Sequence, residues 1–225
     1  GMRDRHVTGV QTCALPISIE ARKTLEAAPF RDERATAGAA AEAVKTNTQA
    51  RGDDPGVVAL ARRVRLALEA HPTMRALVRP TRWSTLIFSR YGPGQQYGLH
   101  VDNAGMHDAC GAPLRTDFSF TLFLSDPEAY AGGELVVQDL SGERTFRPAA
   151  GGAVLYPTGA LHRVAPVTRG ERLACVGWVQ SQIRRADQRE LLYDLERARA
   201  DLPPSDASLL LDKSIGGLLR MWGED

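Results

Sequence analysis

His100-Val101-Asp102, with His162 and then Arg172 far downstream, are the side chains of this chain that can do chemistry together. Two imidazoles and one carboxylate make a facial triad, a donor set that suits iron(II) in an oxygenase because three coordination positions stay open. Two of these can take a 2-oxo acid and the third dioxygen. Residues two apart on a strand point to one face, so His100 and Asp102 are expected to aim together while Val101 packs the other way. His162 is the distant third ligand. Arg172 follows it by ten residues, across a turn at Pro166 to Gly170, and is expected on the next antiparallel strand with its guanidinium beneath the metal. Arginine is the preferred partner of a carboxylate wherever planar two-point geometry matters. Each residue has a plain alternative: His-x-Asp also occurs on surface loops, a lone strand histidine is usually structural, and an arginine near a β-turn is usually a surface charge. The combination is what points to chemistry.

The elements that must position these residues are legible in outline. From about Trp83 the chain consists of short apolar runs broken by Gly, Pro and Asp. Strands are expected at Trp83 to Tyr91, Tyr97 to Val101, Asp117 to Leu124, Glu134 to Gln138, Arg144 to Arg147, Ala153 to Tyr156, His162 to Val164 and Arg172 to Gln180. Turn signals at Gly92-Pro93-Gly94, Gly132-Gly133, Ser141-Gly142, Gly151-Gly152 and Arg169-Gly170 separate them, which argues an antiparallel sandwich or jelly roll. Upstream, Ile19 to Ala28 and the Ala-rich Ala39 to Thr46 read as helical. Asp54-Pro55 starts an amphipathic helix with Val57, Leu60, Ala61, Val64, Ala67 and Leu68 on one face, ending at His71-Pro72. Downstream, Ala186 to Ala200 is a helix docking through Leu191, Leu192, Leu195 and Ala198. After Leu202-Pro203-Pro204, one or two short helices follow over Ser208 to Trp222.

Length and composition bound the rest. A chain of 225 residues, 43% hydrophobic and 24% charged, is ordinary for one catalytic core with a small appendage. Lys and Arg number 28 against 27 Asp and Glu, so a net charge of +1 makes no electrostatic case for nucleic acid or an anionic membrane. Cys13, Cys110 and Cys175 are too scattered for a disulfide framework or a zinc site, and the expected setting is the reducing cytoplasm. No run approaches the roughly 20 apolar residues that span a bilayer. The start is unusual: Val7 to Ile17 resembles the translation of a sequencing-library adapter, and Gly1 a tag remnant. Residues 1–17 are therefore expected to be non-native, and disordered or only opportunistically docked, the alternative being a natural strand of unusual composition. The expected organisation is then a helical support region over 18–82, the β-domain over 83–182 and a helical region over 183–225.

Longer motifs carry a family resemblance. Arg90-Tyr91-Gly92-x-Gly94-Gln95-x-Tyr97-x-x-His100-x-Asp102-Asn103, Phe118 to Ser125, Gly132-Gly133-Glu134-Leu135, and Leu155-Tyr156-Pro157 through His162 and Arg172 to Ser181 resemble the prolyl/lysyl-hydroxylase-type iron(II)/2-oxoglutarate dioxygenases. Within these, Gln188 to Leu195 and Val44-Lys45-x-Asn47 are similar to the bacterial PKHD-type hydroxylases, sometimes described as iron-uptake-associated. The resemblance covers nearly everything from Leu25 to Trp222. It implies a mainly β fold with flanking helices, a double-stranded β-helix (jelly roll) core. It implies iron held by His100, Asp102 and His162, and 2-oxoglutarate anchored through its distal carboxylate by Arg172. It also implies L-ascorbate as the reductant that keeps iron ferrous. The chain departs from the family pattern at its N-terminus, where the family begins with a strand and a full first helix that this chain lacks or has replaced.

Four further residues are assigned to the cosubstrate pocket. Tyr91 sits where a related motif places a tyrosine that hydrogen-bonds the cosubstrate, its alternative being a core-edge aromatic. Thr121 can donate to a cosubstrate carboxylate, although β-branched residues are common in strands for packing alone. Leu135 and Trp178 are expected to wall the pocket. The implied reaction consumes dioxygen and 2-oxoglutarate, hydroxylates a substrate C–H bond and releases succinate and carbon dioxide. A protein side chain, a free amino acid and a siderophore-like small molecule all stay open as substrate, and a homodimer through the helical tail stays open as well. Two rivals use the same triad: a cupin-like metal-binding or iron-sensing protein without turnover, and a zinc or manganese hydrolase or isomerase. Arg172 argues against the first, because a metal-binding barrel has no need of a cationic anchor.

Overall fold

The computed structural model describes residues 11–15, 18–32, 44–139 and 141–224. Its strands are β1 (Gln11–Ala14), β2 (Phe30–Asp32), β3 (Thr48–Ala50), β4 (Pro80–Trp83), β5 (Ile87–Tyr91), β6 (Tyr97–His100), β7 (Gly105–His107), β8 (Pro113–Arg115), β9 (Phe118–Phe123), β10 (Tyr130–Gly132), β11 (Leu135–Asp139), β12 (Gly142–Phe146), β13 (Gly152–Pro157), β14 (His162–Val164), β15 (Val167–Gly170) and β16 (Arg172–Ser181). Two sheets carry the site. The larger runs β1-β13-β9-β16-β5-β3-β2 with β4 also paired to β16, and the smaller runs β12-β11-β14-β6. Their pairings are antiparallel. This is the mainly β, double-stranded β-helix that the sequence implies.

Strand alternation divides the core into two layers. On β9, Phe118, Phe120 and Leu122 join a cluster that includes Leu25, Leu60, Val64 and Leu68 of the helices. Their alternates Ser119, Thr121 and Phe123 point the other way, where Phe123, Val154 and Tyr156 of the larger sheet meet Leu135 and Val137 of the smaller. The apolar face is therefore sealed by helices, while the face that carries polar residues turns inward. Fully burying each large apolar side chain contributes about 1.5–3 kcal/mol, so the helix layer is what holds the larger sheet against water.

Among the described residues four α-helices flank the sheets: α1 (Ser18–Ala27), α2 (Pro55–Ala70), α3 (Ala186–Ala200) and α4 (Asp206–Trp222). Helix α2 begins where expected because the Asp54 carboxylate accepts from the Gly56 and Val57 amides at 2.9 and 3.1 Å and Pro55 occupies the first turn. It buries Val57, Leu60, Val64 and Leu68. Helices α3 and α4 pack on each other through Leu192 and Ile215, with Ile183 completing the cluster. Leu191, expected on the docking face, is instead 48% exposed. The tail after Pro204 is one helix, started by a capping box between Ser205 and Ser208.

Several local expectations are corrected. Residues 44–46 are not helical: the Val44 carbonyl accepts from the Gly98 amide at 2.9 Å, and the Thr46 amide donates to the Gln96 carbonyl at 3.1 Å. The chain there takes its backbone hydrogen bonds from the edge of β6, and residues 39–43 lie outside the described ones. At the start, Gln11–Ala14 pair with Gly152–Leu155 of β13, and Cys13 and Leu15 are buried. Residues 11–15 are thus docked rather than disordered, while Val7, Val10 and Ile17 lie outside the described residues. The β7-β8 hairpin and the long-range antiparallel pair β10-β15 are additions that short polar sequences did not announce.

Candidate metal centre and cosubstrate pocket

His100 closes β6 and lies opposite His162 in the β6-β14 pairing, with ring centroids 4.2 Å apart. Asp102 lies two residues beyond the end of the strand, in a loop rather than on β6 as expected. Val101 does not pack inward or outward but is 50% exposed at the pocket rim. The Asp102 carboxylate nevertheless lies 3.8 Å from His100 Nε2 and 3.6 Å from His162 Nε2. One ligand atom from each of the three residues lies within 4.8 Å of the others. The three side chains converge closely enough to hold one metal ion between them.

Local hydrogen bonds hold the ligand atoms in place. His100 Nδ1 lies 2.7 Å from the Gly98 carbonyl and His162 Nδ1 3.0 Å from the Ala160 carbonyl. A carbonyl oxygen only accepts, so each Nδ1 carries the proton and each Nε2 presents its lone pair toward Asp102. Burial, with the nearby His162 second, pushes the His100 pKa down to about 4, which keeps it a neutral ligand. The Tyr97 ring stacks on His100 at 3.7 Å with 16° between planes. Ser119 Oγ donates to Asp102 Oδ2 at 2.7 Å and lies 3.2 Å from Thr158 Oγ1. That bond substitutes for the strand geometry that Asp102 lacks.

Arg172 is placed differently from the expectation. Its strand, β16, pairs with β5 and β9 of the larger sheet, and β15 intervenes between it and β14. The guanidinium thus reaches the metal side from the opposite sheet. It is 1% exposed and stands 5.1 Å from the Tyr91 ring centroid and 4.9 Å from that of Phe123. Nε and Nη2 are buried with no hydrogen-bond partner among the described residues, and burial lowers the pKa of the group. A buried cation with unused donors is a socket for an anion. Gly133, at positive φ, makes room for it, since a Cβ there would lie 3.0 Å from Arg172 Cδ; a Cβ on Gly132, also at positive φ, would instead lie 2.0 Å from the Pro166 carbonyl oxygen.

One cavity joins the triad to Arg172, and Tyr91, Thr121, Leu135 and Trp178 all line it. Tyr91 stands opposite Arg172 in the β5-β16 register, and burial pushes its phenol up to about 12 against the lowering effect of the Arg172 charge. Thr121 is within hydrogen-bonding reach of Tyr156, whose phenol burial also raises. Trp178 sits beside Ser119, with its indole Nε1 buried and unpartnered among the described residues. Sequence reasoning assigned no role to Ser119, Tyr97 or Tyr156. The only available signal was parity, since Ser119 shares the inward face with Thr121.

Fold and site together define the class, a double-stranded β-helix metal oxygenase. The model of the 2OG-Fe(II) oxygenase superfamily matches residues 86–180. A PKHD-type hydroxylase of Picosynechococcus sp. is 45% identical over 205 residues, covering 89% of this chain and 91% of its own. One of Maricaulis maris is 47% identical over 200 residues, covering 87% and 89%. Among solved structures, a Trichoplax adhaerens prolyl hydroxylase in complex with a hypoxia inducible factor peptide superposes with a TM-score of 0.59 at 14% identity, covering 82% of this chain and 87% of that one. HygX of Streptomyces hygroscopicus, with nickel and 2-oxoglutarate bound, gives 0.55 at 16%, covering 79% and 85%. These two share the fold. The chain belongs to the PKHD-type hydroxylases and is an iron(II)- and 2-oxoglutarate-dependent dioxygenase.

Proposed function

We propose that His100, Asp102 and His162 are the iron ligands and that Arg172 pairs with the distal carboxylate of 2-oxoglutarate. The observation that carries this reading is a buried guanidinium with unused donors in the same cavity as a His-Asp-His cluster. Bound together, iron(II) and 2-oxoglutarate supply the oxidation that hydroxylates a substrate C–H bond and releases succinate and carbon dioxide. The chain's own residues position the reactants. The two imidazoles donate through Nε2, Ser119 orients the Asp102 carboxylate, and Tyr91 offers a phenol hydrogen bond beside Arg172. Thr121 supports the cosubstrate from the neighbouring strand, and Leu135 and Trp178 exclude water from it.

Around this core we assign residues 18–82 to helical support and 183–225 to a helical appendage, and L-ascorbate to the maintenance of ferrous iron. The three cysteines are unpaired, which supports a reducing, cytoplasmic setting. No helix among the described residues is long and apolar enough to cross a membrane. The near-zero net charge supports neither nucleic acid nor anionic lipid as partner. The test is anaerobic loading with iron(II) and 2-oxoglutarate, then admission of oxygen with succinate as readout. Native protein is expected to release succinate, and His162→Ala to lose both metal and turnover. Metal binding without succinate release, across a substrate screen, would reject the reading.

A further inference from the structure

Arg172 has a tyrosine beside it that the roles above leave out. The neighbours that act on its charge are Tyr91, Tyr130 and Tyr156. Tyr91 and Tyr156 line the cavity and Tyr130 does not. Tyr130 opens β10, the strand paired with β15 outside the two main sheets, and it is 1% exposed. Two glycines clear the way for it. Gly170, its partner in the β10-β15 register and two residues ahead of Arg172, has positive φ, and a Cβ there would lie 2.9 Å from Tyr130 Cα. Gly133 leaves a space where a Cβ would lie 3.3 Å from Tyr130 Cε2 and 3.0 Å from Arg172 Cδ. The edge of the phenol ring and the arginine stem therefore meet over one backbone position. Arg147, ion-paired with Glu134 at 3.3 Å, lies 5.4 Å from the Tyr130 ring centroid and packs the ring further.

The contact between the two polar ends is incomplete. Tyr130 Oη is buried, as are Arg172 Nε and Nη2, and none of the three has a hydrogen-bond partner among the described residues. The hydroxyl nevertheless stands close enough to the guanidinium for charge and hydrogen bonding to act between them, without completing a bond. Burial raises the phenol pKa against the lowering effect of the Arg172 charge, so the group stays a neutral hydroxyl. Its oxygen can accept, whereas a guanidinium can only donate. Buried polar atoms left unpaired cost free energy, and a set that one further acceptor would complete is a set waiting for an anion.

Resting on the reading that Arg172 takes the distal carboxylate of 2-oxoglutarate, we propose that Tyr130 is the positioning residue of that anchor: its phenol oxygen accepts one guanidinium N–H when the carboxylate docks, which aims the remaining donors at the carboxylate and strengthens the preference for a 2-oxo diacid over a 2-oxo monoacid. Tyr130 acts through Arg172 and does not touch the cosubstrate. The β10-β15 pair is the element that delivers it, and Gly133 and Gly170 are the positions that let the two side chains meet.

The test is calorimetric titration of manganese(II)-loaded protein with 2-oxoglutarate and with 2-oxopentanoate, in which a methyl group replaces the distal carboxylate. Tyr130→Phe keeps the ring and removes only the oxygen. It should bind 2-oxoglutarate roughly tenfold more weakly and bind 2-oxopentanoate as native protein does, which shows the pocket intact. Without ligand it should melt no lower than native protein, since no completed bond is lost. In an Arg172→Met background the same change should weaken 2-oxoglutarate by less than about twofold, because the pair acts as a unit. An unchanged 2-oxoglutarate affinity in Tyr130→Phe, an equal loss for both 2-oxo acids, or an undiminished loss in the Arg172→Met background would each overturn the proposal. Failure of the underlying reading looks different: Arg172→Met would then bind 2-oxoglutarate as tightly as native protein, and both assignments would go. A fall in Arg172→Met with none in Tyr130→Phe rejects the role of Tyr130 alone.

Discussion

Replacing Arg172 with methionine should weaken 2-oxoglutarate binding without destabilising the unloaded protein, a pair of outcomes that a structural arginine would not produce. The side chain is 1% exposed, and Nε and Nη2 have no partner among the described residues. Holding an ion in such a place costs several kcal/mol after relaxation. The contacts over the Tyr91 and Phe123 rings, at 5.1 and 4.9 Å, return about 0.5–2 kcal/mol each. Desolvation therefore matches or exceeds the return, and methionine keeps the stem that packs near Gly133, so the unloaded variant should melt at or above the native temperature. For the ligand the balance reverses, because the lost charge-assisted hydrogen bonds are worth about 1.5–3 kcal/mol, roughly a tenfold to 150-fold loss of affinity. Scanning calorimetry of manganese-loaded protein reads both effects. At 2-oxoglutarate one hundred times the native Kd, native protein gains about 2.7 kcal/mol, roughly 5–10 °C at 2–4 °C per kcal/mol for a domain of this size. A variant bound a hundredfold more weakly gains only about 1–2 °C. Equal ligand-induced shifts in the two proteins, or a fall of about 10 °C in the unloaded variant, would refute the reasoning.

Ser119→Ala removes the donor to Asp102, and loss of such an orienting partner typically costs tenfold to a hundredfold in metal affinity; metal titration would show an unchanged affinity if the bond were incidental. Stability of the metal-free protein should fall as pH drops from about 6.5 toward 4, because unfolded His100 takes up a proton that folded His100, with a pKa lowered to about 4, refuses. That contribution is fully present above pH 6.5, and denaturant titrations that show no fall over the window would contradict it. Deleting residues through Ile17 removes β1 and the burial of Cys13 and Leu15. One buried leucine contributes about 1.5–3 kcal/mol, so the melting temperature should drop by roughly 3–12 °C while metal binding stays intact. An unchanged melting temperature would restore the view that this segment contributes nothing to the fold.

Local information in the sequence was sufficient wherever the deciding physics is local. Helix α2 was legible from Asp54-Pro55 and an apolar face of period 3.6, because a cap and a stripe act within a few residues. The strands around the site were legible from period-two alternation and glycine turns, and the gathering of the two histidines, Asp102 and Arg172 around one cavity was legible from side-chain chemistry. Tertiary structure decided what distant segments do to one another. It put Arg172 on the sheet opposite His162, because β16 finds its hydrogen bonds with β5 and β9. It oriented Asp102 through Ser119, two residues close in space and 17 apart in the chain. It drew Lys45 out of an Ala-rich run onto the edge of β6, and gave Gln11–Ala14 a partner in β13. Helical propensity and composition could not anticipate these, since an open strand edge offers backbone hydrogen bonds to whichever segment the chain brings to it, and only the closed fold shows which segment arrives.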